Sequence, residues 1–348
     1  MTDTIKTLWE PSEDFKSKTV IVRYMKWLEK HKQLKFDDYE SLRLWSVNHI
    51  EDFYESIWEF FNIHSTTPYK QVLDSHKMPG AKWFEGATLN YAEHVFRSKN
   101  SENPAIISES ETRPLTELSW FELEQQVAKM AAYLRASGVK KGDRVVAYMP
   151  NIPETAVAFL AASSMGAVWS AASPDFGTDS VVDRFQQISP TVLFCVDGYT
   201  YDGKRFSRVE EVATIKSQID SIEHVIMLDY MGFANNAKVE SLIYWQNAMD
   251  NDASEIIFES LDFDHPLWVV YSSGTTGIPK AITHSHGGVL VENYKYMGLL
   301  GNIQRGDRYF WYSTTGWVMW NMIFGVMLSG GTAIVYDGNP AFSGIGKL

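Results

Sequence analysis

Nine consecutive residues, Ser272-Ser273-Gly274-Thr275-Thr276-Gly277-Ile278-Pro279-Lys280, bring together four hydroxyls, two glycines and one cation. In such a run successive backbone N–H groups can turn toward one point and make an anion-binding nest. The hydroxyls add donors. Gly274 and Gly277 let the backbone approach a ligand closely and adopt positive φ. Pro279 stiffens the exit, and Lys280 supplies positive charge. An apolar stretch, Leu267 to Tyr271, leads in and predicts a buried strand. Donors, flexibility and one cation at a strand's end meet the needs of a polyphosphate. A plain Ser/Thr/Gly surface turn is the competing reading; the strand and the lysine at this spacing count against it. The run differs from the P-loop of nucleoside triphosphatases, which needs Gly-Lys-Ser/Thr adjacent and opening a helix. Here Pro279 separates Gly277 from Lys280, and Lys280 to Thr283 reads as a strand.

A second stretch, Thr314-Thr315-Gly316-Trp317-Val318-Met319-Trp320-Asn321, follows an expected strand from Tyr309 to Tyr312. A glycine before a bulky aromatic at a strand's end permits close approach and presents a flat wall. Plain core packing of an apolar helix start is the competing reading. His284 and His286 are spaced as a metal pair, but no nearby Cys or carboxylate completes a site. Packing, or capping of a helix from Val289 to Met297, is expected of them instead. The single cysteine, Cys195, lies in the apolar run Thr191 to Val196 and is expected to be a core thiol.

The Ser272–Lys280 run resembles the phosphate-binding signature of the adenylate-forming superfamily, which holds acyl-CoA synthetases, luciferases and the adenylation domains of peptide synthetases. From Leu8-Trp9 to about Pro340 the chain is similar to the branch of acetyl- and acetoacetyl-CoA synthetases. The resemblance implies an AMP-forming acid–CoA ligase that uses ATP, Mg²⁺ and CoA. A small carboxylate, acetoacetate foremost, attacks the α-phosphate of ATP to give an acyl-adenylate and pyrophosphate, and the thiol of CoA then takes the acyl group. By the same resemblance Ser272 is a Mg²⁺ ligand, and Ser273, Gly274, Thr275, Thr276 and Gly277 hold the β- and γ-phosphates. Thr276 and Lys280 carry the catalytic contacts. Trp317, Val318 and Met319 face the acyl group, the wide indole excluding long acids. In Tyr201-Asp202-Gly203-Lys204, Lys204 matches a basic residue that meets the nucleotide part of CoA, while Tyr201 replaces another; a solvated turn is the competing reading.

The resemblance also implies elements beyond Pro340: an adenine-binding aromatic stretch with its Mg²⁺-binding Glu, a ribose-binding Asp, a hinge, and a lysine on a mobile C-terminal domain. The chain is therefore expected to be the N-terminal portion of a ligase, with that domain absent or carried by a separate chain. A non-catalytic remnant that binds nucleotide, and a ligase for another small acid such as acetate or propionate, stay open as alternatives.

These residues need a scaffold, and the sequence alternates accordingly. Residues 15 to 62 read as helical, with aromatics at helical spacing. Trp83 to Glu93 reads as a connector. Strands are expected at Ala105–Ile107, Arg144–Tyr148, Ala167–Ala171, Thr191–Val196, His224–Leu228 and Leu267–Tyr271, with helices between. Ser119 with Glu122 makes a capping box for a helix that runs to Ser137 and stops at Gly138. Apolar strands separated by amphipathic helices predict a parallel sheet covered on both faces, with ligands at the carboxyl ends of its strands. The expected fold class is α/β: a helical N-terminal extension over 1–100, then part of the large adenylate-forming domain over 101–348. The formal net charge of −12 disfavours a nucleic-acid or anionic-membrane surface. Trp317 to Tyr336 is about long enough to span a bilayer, but Asn321 and Ser329-Gly330-Gly331-Thr332 interrupt it. A buried helix, a Gly-Gly turn and a buried strand are expected there. A cytoplasmic setting fits the single thiol and the polar, mixed-charge start.

Overall fold

Ser12, Thr19 and Asp38 each accept a backbone N–H at the start of a helix, and their spacing divides the N-terminal segment. The computed structural model describes residues 8–272 and 277–342, Asn236 by its backbone alone. Four helices open the chain: α1 Glu13–Lys18, α2 Val20–Lys32, α3 Tyr39–Asn48 and α4 Ile50–Phe60. The helical reading of residues 15 to 62 holds with single-residue breaks at Thr19 and His49, a turn at 61–62, and a longer break at 33–38, where Gln33 turns left-handed with φ 57° and ends α2. Aromatic contacts hold the segment down; Trp58 of α4 stacks on Phe84 at 4.5 Å. Strands β1 Gln71–Leu73 and β2 Trp83–Glu85 pair antiparallel, followed by β3 Thr88–Leu89 and α5 Tyr91–Arg97.

The stretch Trp83 to Glu93 is more than a connector. The side-chain carbonyl of Asn90 caps α5, while its amide donates to the carbonyls of Ser163, Ser164 and Glu259 at 3.2, 3.0 and 3.0 Å. One buried side chain thereby ties the N-terminal segment to the body of the protein.

The body begins with β4 Ile106–Ser110, β5 Thr116–Leu118 and α6 Trp120–Ala136. Strands and helices then alternate: β6 Arg144–Tyr148, α7 Pro153–Ser164, β7 Val168–Ala172, α8 Thr178–Phe185 and β8 Val192–Val196. A hairpin, β9 Gly198–Tyr201 and β10 Lys204–Ser207, precedes α9 Val209–Gln218 and β11 His224–Leu228. Next come β12 Leu242–Tyr244, α10 Trp245–Met249, β13 Leu261–Asp262, β14 Pro266–Ser272 and β15 Lys280–Ser285. α11 His286–Asn293 continues as a π-helix, Tyr294–Leu300, before β16 Arg308–Phe310 and α12 Val318–Ile323. A 3₁₀ turn, Phe324–Ser329, and β17 Thr332–Asp337 close the described chain.

Among the described residues the strands divide into two main sheets. Seven run in the order β12-β11-β8-β6-β7-β14-β15, parallel except for β15, which returns antiparallel along β14. Four form a second sheet, β16-β17-β4-β5, that a single parallel-sheet reading does not contain. The central strands of the larger sheet are apolar on both sides because both sides are covered. On β6, Val145 and Ala147 enter one core cluster and Val146 and Tyr148 the other; on β8, Val192 and Phe194 oppose Leu193 and Cys195. Between Trp317 and Tyr336 the structure has the expected helix, glycine turn and strand. Among the described residues no helix is long and apolar enough to cross a membrane.

Candidate functional site

Ser272 ends β14 exposed, and its register partner across the hairpin is Lys280, the first residue of β15. Directly opposite residues of an antiparallel pair share one face, with Cβ atoms about 5 Å apart. The hydroxyl and the ammonium therefore stand side by side at the carboxyl end of a parallel strand, where open α/β sheets bind ligands. Lys280 is exposed, and among the described residues no carboxylate forms an ion pair with it. Gly277 takes φ +98°, a value that calls for glycine. Ser273, Gly274, Thr275 and Thr276 lie outside the described residues.

The base of this loop is fixed by α8 and the 3₁₀ turn that follows it, Gln186–Ile188. Tyr271 donates its hydroxyl to the carbonyl of Arg184 at 2.7 Å, and burial raises its pKa to about 12, so it stays a donor. Gln187 donates its amide to the carbonyl of Pro279 at 3.0 Å. The Arg184 guanidinium lies 5.2 Å from the Phe176 ring centroid and 6.0 Å from that of Tyr271. Phe176 in turn packs on Gly316: a Cβ at Gly316 would fall 2.8 Å from the Phe176 ring. The two stretches singled out from sequence, 42 residues apart at Gly274 and Gly316, are thus joined through Phe176, Arg184 and Tyr271.

Around Gly316 the structure separates two tryptophans. Trp320 is buried, stacks on Trp169 at 6.3 Å and donates its indole N–H to Asn151 Oδ1 at 2.8 Å. Trp317 is 66% exposed, and Val318 and Met319 are half-buried at the start of α12. Core packing therefore describes Trp320 and not Trp317.

The carboxyl ends of the two sheets meet in a narrow cleft of about 50 Å³ lined by Asn151, Asp175, Tyr201, Thr314 and Asp337 among others. Asp337, the last residue of β17, receives the Tyr230 hydroxyl at Oδ2, 3.0 Å away. Burial, reinforced by Glu111 and Asp175, pushes its carboxyl up to about 7 against the opposing pull of that hydrogen bond and of Arg113. Sequence reasoning missed this group. Its only local signal was an apolar strand that ends in Asp-Gly.

Lys204 stands apart from Ser272, on the β9–β10 hairpin where it pairs with Tyr201. Asp202 and Gly203 both take positive φ, +53° and +71°, as a two-residue hairpin turn with right-handed twist requires. The solvated turn weighed for Tyr201–Lys204 is present as the tip of this hairpin, which precedes the expected helix between β8 and β11. Both turn N–H groups donate to the Glu111 carboxylate, at 2.8 and 2.7 Å, and the N–H of Asn339 joins them at 2.6 Å. Lys204 itself is exposed beside the cleft.

The histidine pair does not converge on a metal. His284 Nδ1 accepts from the Trp268 indole at 2.9 Å, and His286 Nδ1 accepts from the backbone of Tyr91 at 3.1 Å. Burial holds both rings below the usual histidine range. Ser285, not a histidine, caps α11. Among the described residues no three His, Cys, Asp or Glu side chains gather as a metal site. Cys195 is fully buried, and its thiol is pushed up by that burial, as a core residue.

A parallel-rich sheet with helices on both faces and a cleft at the carboxyl ends of its strands is an α/β ligand-binding frame, and the sequence places the chain within a family. The chain belongs to the AMP-binding enzyme family, which matches residues 93–347; the acetyl-coenzyme A synthetase N-terminus family matches residues 39–95. Acetoacetyl-CoA synthetase of Macaca fascicularis is 36% identical over 345 residues, 96% of this chain and 51% of that protein. Acetoacetyl-coenzyme A synthetase of Rhizobium meliloti (strain 1021) is 35% identical over 338 residues, 96% of this chain and 52% of that protein. Among solved structures, acetoacetyl-CoA synthetase from Streptomyces lividans superposes with a TM-score of 0.92 at 43% identity, covering 97% of this chain and 52% of that one. The chain spans about half the length of the curated relatives it matches.

Proposed function

We propose that these 348 residues form the ATP-gripping half of an AMP-forming acid–CoA ligase whose acid is acetoacetate. The carrying observation is the Ser272–Lys280 pair at the carboxyl end of β14, in a chain of the AMP-binding family. The named relatives supply the substrate class. Residues 1–100 are the extension and residues 101–348 part of the large domain in this reading.

Adenylation joins two anions, so the protein's work is positioning and charge neutralisation. Lys280 meets the triphosphate as a point cation, unneutralised by any neighbouring carboxylate among the described residues. Gly274, Thr275, Thr276 and Gly277 offer N–H and hydroxyl donors to the β- and γ-phosphates, with Ser273 beside them. Thr276 and Lys280 gain most where charge builds on the departing pyrophosphate. The donor set fits Mg²⁺ only as an ion shared with nucleotide. Ser272 offers one exposed hydroxyl, and phosphate oxygens and water would fill the remaining positions. Bound there, Mg²⁺ would neutralise phosphate charge. Trp317 walls the acyl side, and Lys204 at the cleft rim meets the nucleotide part of CoA.

The test is exchange of labelled pyrophosphate into ATP with acetoacetate and Mg²⁺. The chain alone is expected to give none; joined to the remaining half of a relative, in one chain or as a separate one, it is expected to exchange and to form acetoacetyl-CoA. In that completed protein K280A is expected to lower the exchange rate by about 10² or more. Robust exchange by the 348 residues alone would contradict the split of roles. Unchanged exchange in K280A would remove the phosphate loop from the mechanism.

A further inference from the structure

Lys280 is not the only cation of this acidic chain that forms no ion pair among the described residues. Arg23 on α2, Arg97 at the end of α5 and Arg305 in the loop before β16 line one cavity of about 600 Å³. Asn62, Gln304 and Ser329 also line it, and no Asp or Glu does. Among the described residues the arginines in ion pairs are Arg43, Arg113 and Arg208, so these three have no carboxylate partner. In a chain of net charge −12 that grouping is unexpected.

Structural roles account poorly for it. Arg97 sits in the last turn of α5, where a cation suits the helix dipole. Arg23 sits near the start of α2, where the dipole disfavours a cation, and Arg305 lies on a loop. Three exposed guanidinium groups line this one cavity, and an anion within it is attracted to all three. Guanidinium forks match phosphate oxygens in pairs. The cavity also has an apolar floor: Phe61 stacks on Tyr294 at 4.8 Å, with Ile303 and Leu328 beside them. Its volume suits a small organic molecule.

The cavity lies at the amino ends of β16 and β17, since Arg305 and Ser329 precede those strands. Asp337 and the candidate cleft lie at the other end of β17, about 17 Å away along its six residues. The two sites are separate.

We propose that this cavity binds a small organic phosphate, with the dianionic head on Arg23, Arg97 and Arg305 and a flat or apolar body on the Phe61–Tyr294 floor. Its walls come from α2, the end of α4, the end of α5 and the approaches to β16 and β17. The ligand would therefore clamp the N-terminal helices to the second sheet and stabilise both. The inference stands whether or not the chain is a ligase.

Phenyl phosphate is the probe, titrated calorimetrically and followed by thermal unfolding. Saturable one-to-one binding that weakens with added salt and raises Tm is expected. R97A and R305A are each expected to weaken binding about tenfold, and the pair about a hundredfold. K280A is expected to bind as the parent does. Inorganic phosphate, lacking the body, is expected to bind more weakly. No saturable binding, equal affinity in R97A/R305A, or loss of binding in K280A would each overturn the proposal; the last would place the probe at the phosphate loop. If R97A/R305A does not fold, R97K/R305K decides: charge is kept and the fork removed, so affinity must still fall.

Discussion

Replacing Asp337 by Asn should flatten a specific part of the pH dependence of stability. The carboxyl is pushed from its ordinary 3.8 up to about 7, chiefly by burial. A raised carboxylate works against the fold as pH rises. Below about pH 4 both folded and unfolded chains hold the proton, and the group is neutral to stability. Between about pH 4 and 7 the unfolded chain ionises while the folded one keeps its proton, so stability is lost through that window. Above about pH 7 the loss is complete. The shift corresponds to at most about 4 kcal/mol. The residue is half-buried overall, because its flank lines the cleft, and water reaching the carboxyl reduces that figure to about 2 kcal/mol. Asparagine keeps the acceptor for the Tyr230 hydroxyl, 3.0 Å away, without the charge. Urea unfolding of the parent and D337N from pH 4 to 8 gives the difference directly. D337N should match the parent near pH 4 and exceed it by about 2 kcal/mol at pH 8. A constant difference across that range would refute the account, because only titration at this site produces the pH dependence.

Three further outcomes follow from single contacts. S119A removes the cap whose hydroxyl accepts the Glu122 N–H at 3.2 Å and should cost about 1 kcal/mol in urea unfolding; no change would mean that α6 is held by packing alone. G287A places a Cβ 2.2 Å from the ring of buried Phe263 and should destabilise by roughly 1–3 kcal/mol or more; a silent substitution would mean that the ring moves freely. In the completed ligase, W317G should raise kcat/KM for a six-carbon acid relative to acetoacetate by at least about tenfold, as expected when a bulky wall is removed. An unaltered preference would take Trp317 out of the acyl pocket.

Much of the frame was legible because its signals are local. The Ser119–Glu122 capping box closes within one helical turn, and both of its hydrogen bonds form. Arg144–Tyr148 and His224–Leu228 are strands at the bounds their apolar runs marked. The fate of Cys195 and of the Trp317–Tyr336 segment followed from runs of the same kind. The turn at Tyr201–Lys204 was legible from its Asp-Gly pair, but the strands it joins are only four residues each and mostly not apolar, so no hydrophobic run marked them. The second sheet was missed because β4 and β17 pair across more than two hundred residues, Ala333 against Ile106.

From sequence alone came the capped start of α6, the runs buried on both faces, and a hydroxyl-rich, glycine-rich loop that ends in a lysine. Those properties depend on neighbours within a few positions. Tertiary structure decided that β15 turns back to set Lys280 against Ser272, that Trp320 goes in while Trp317 stays out, and that Gly316 is joined to the end of β14 through Phe176, Arg184 and Tyr271. It also decided that burial raises the Asp337 carboxyl and that Arg23, Arg97 and Arg305 share one cavity. Desolvation and charge convergence are sums over groups that only folding brings together, so no window of sequence contains them.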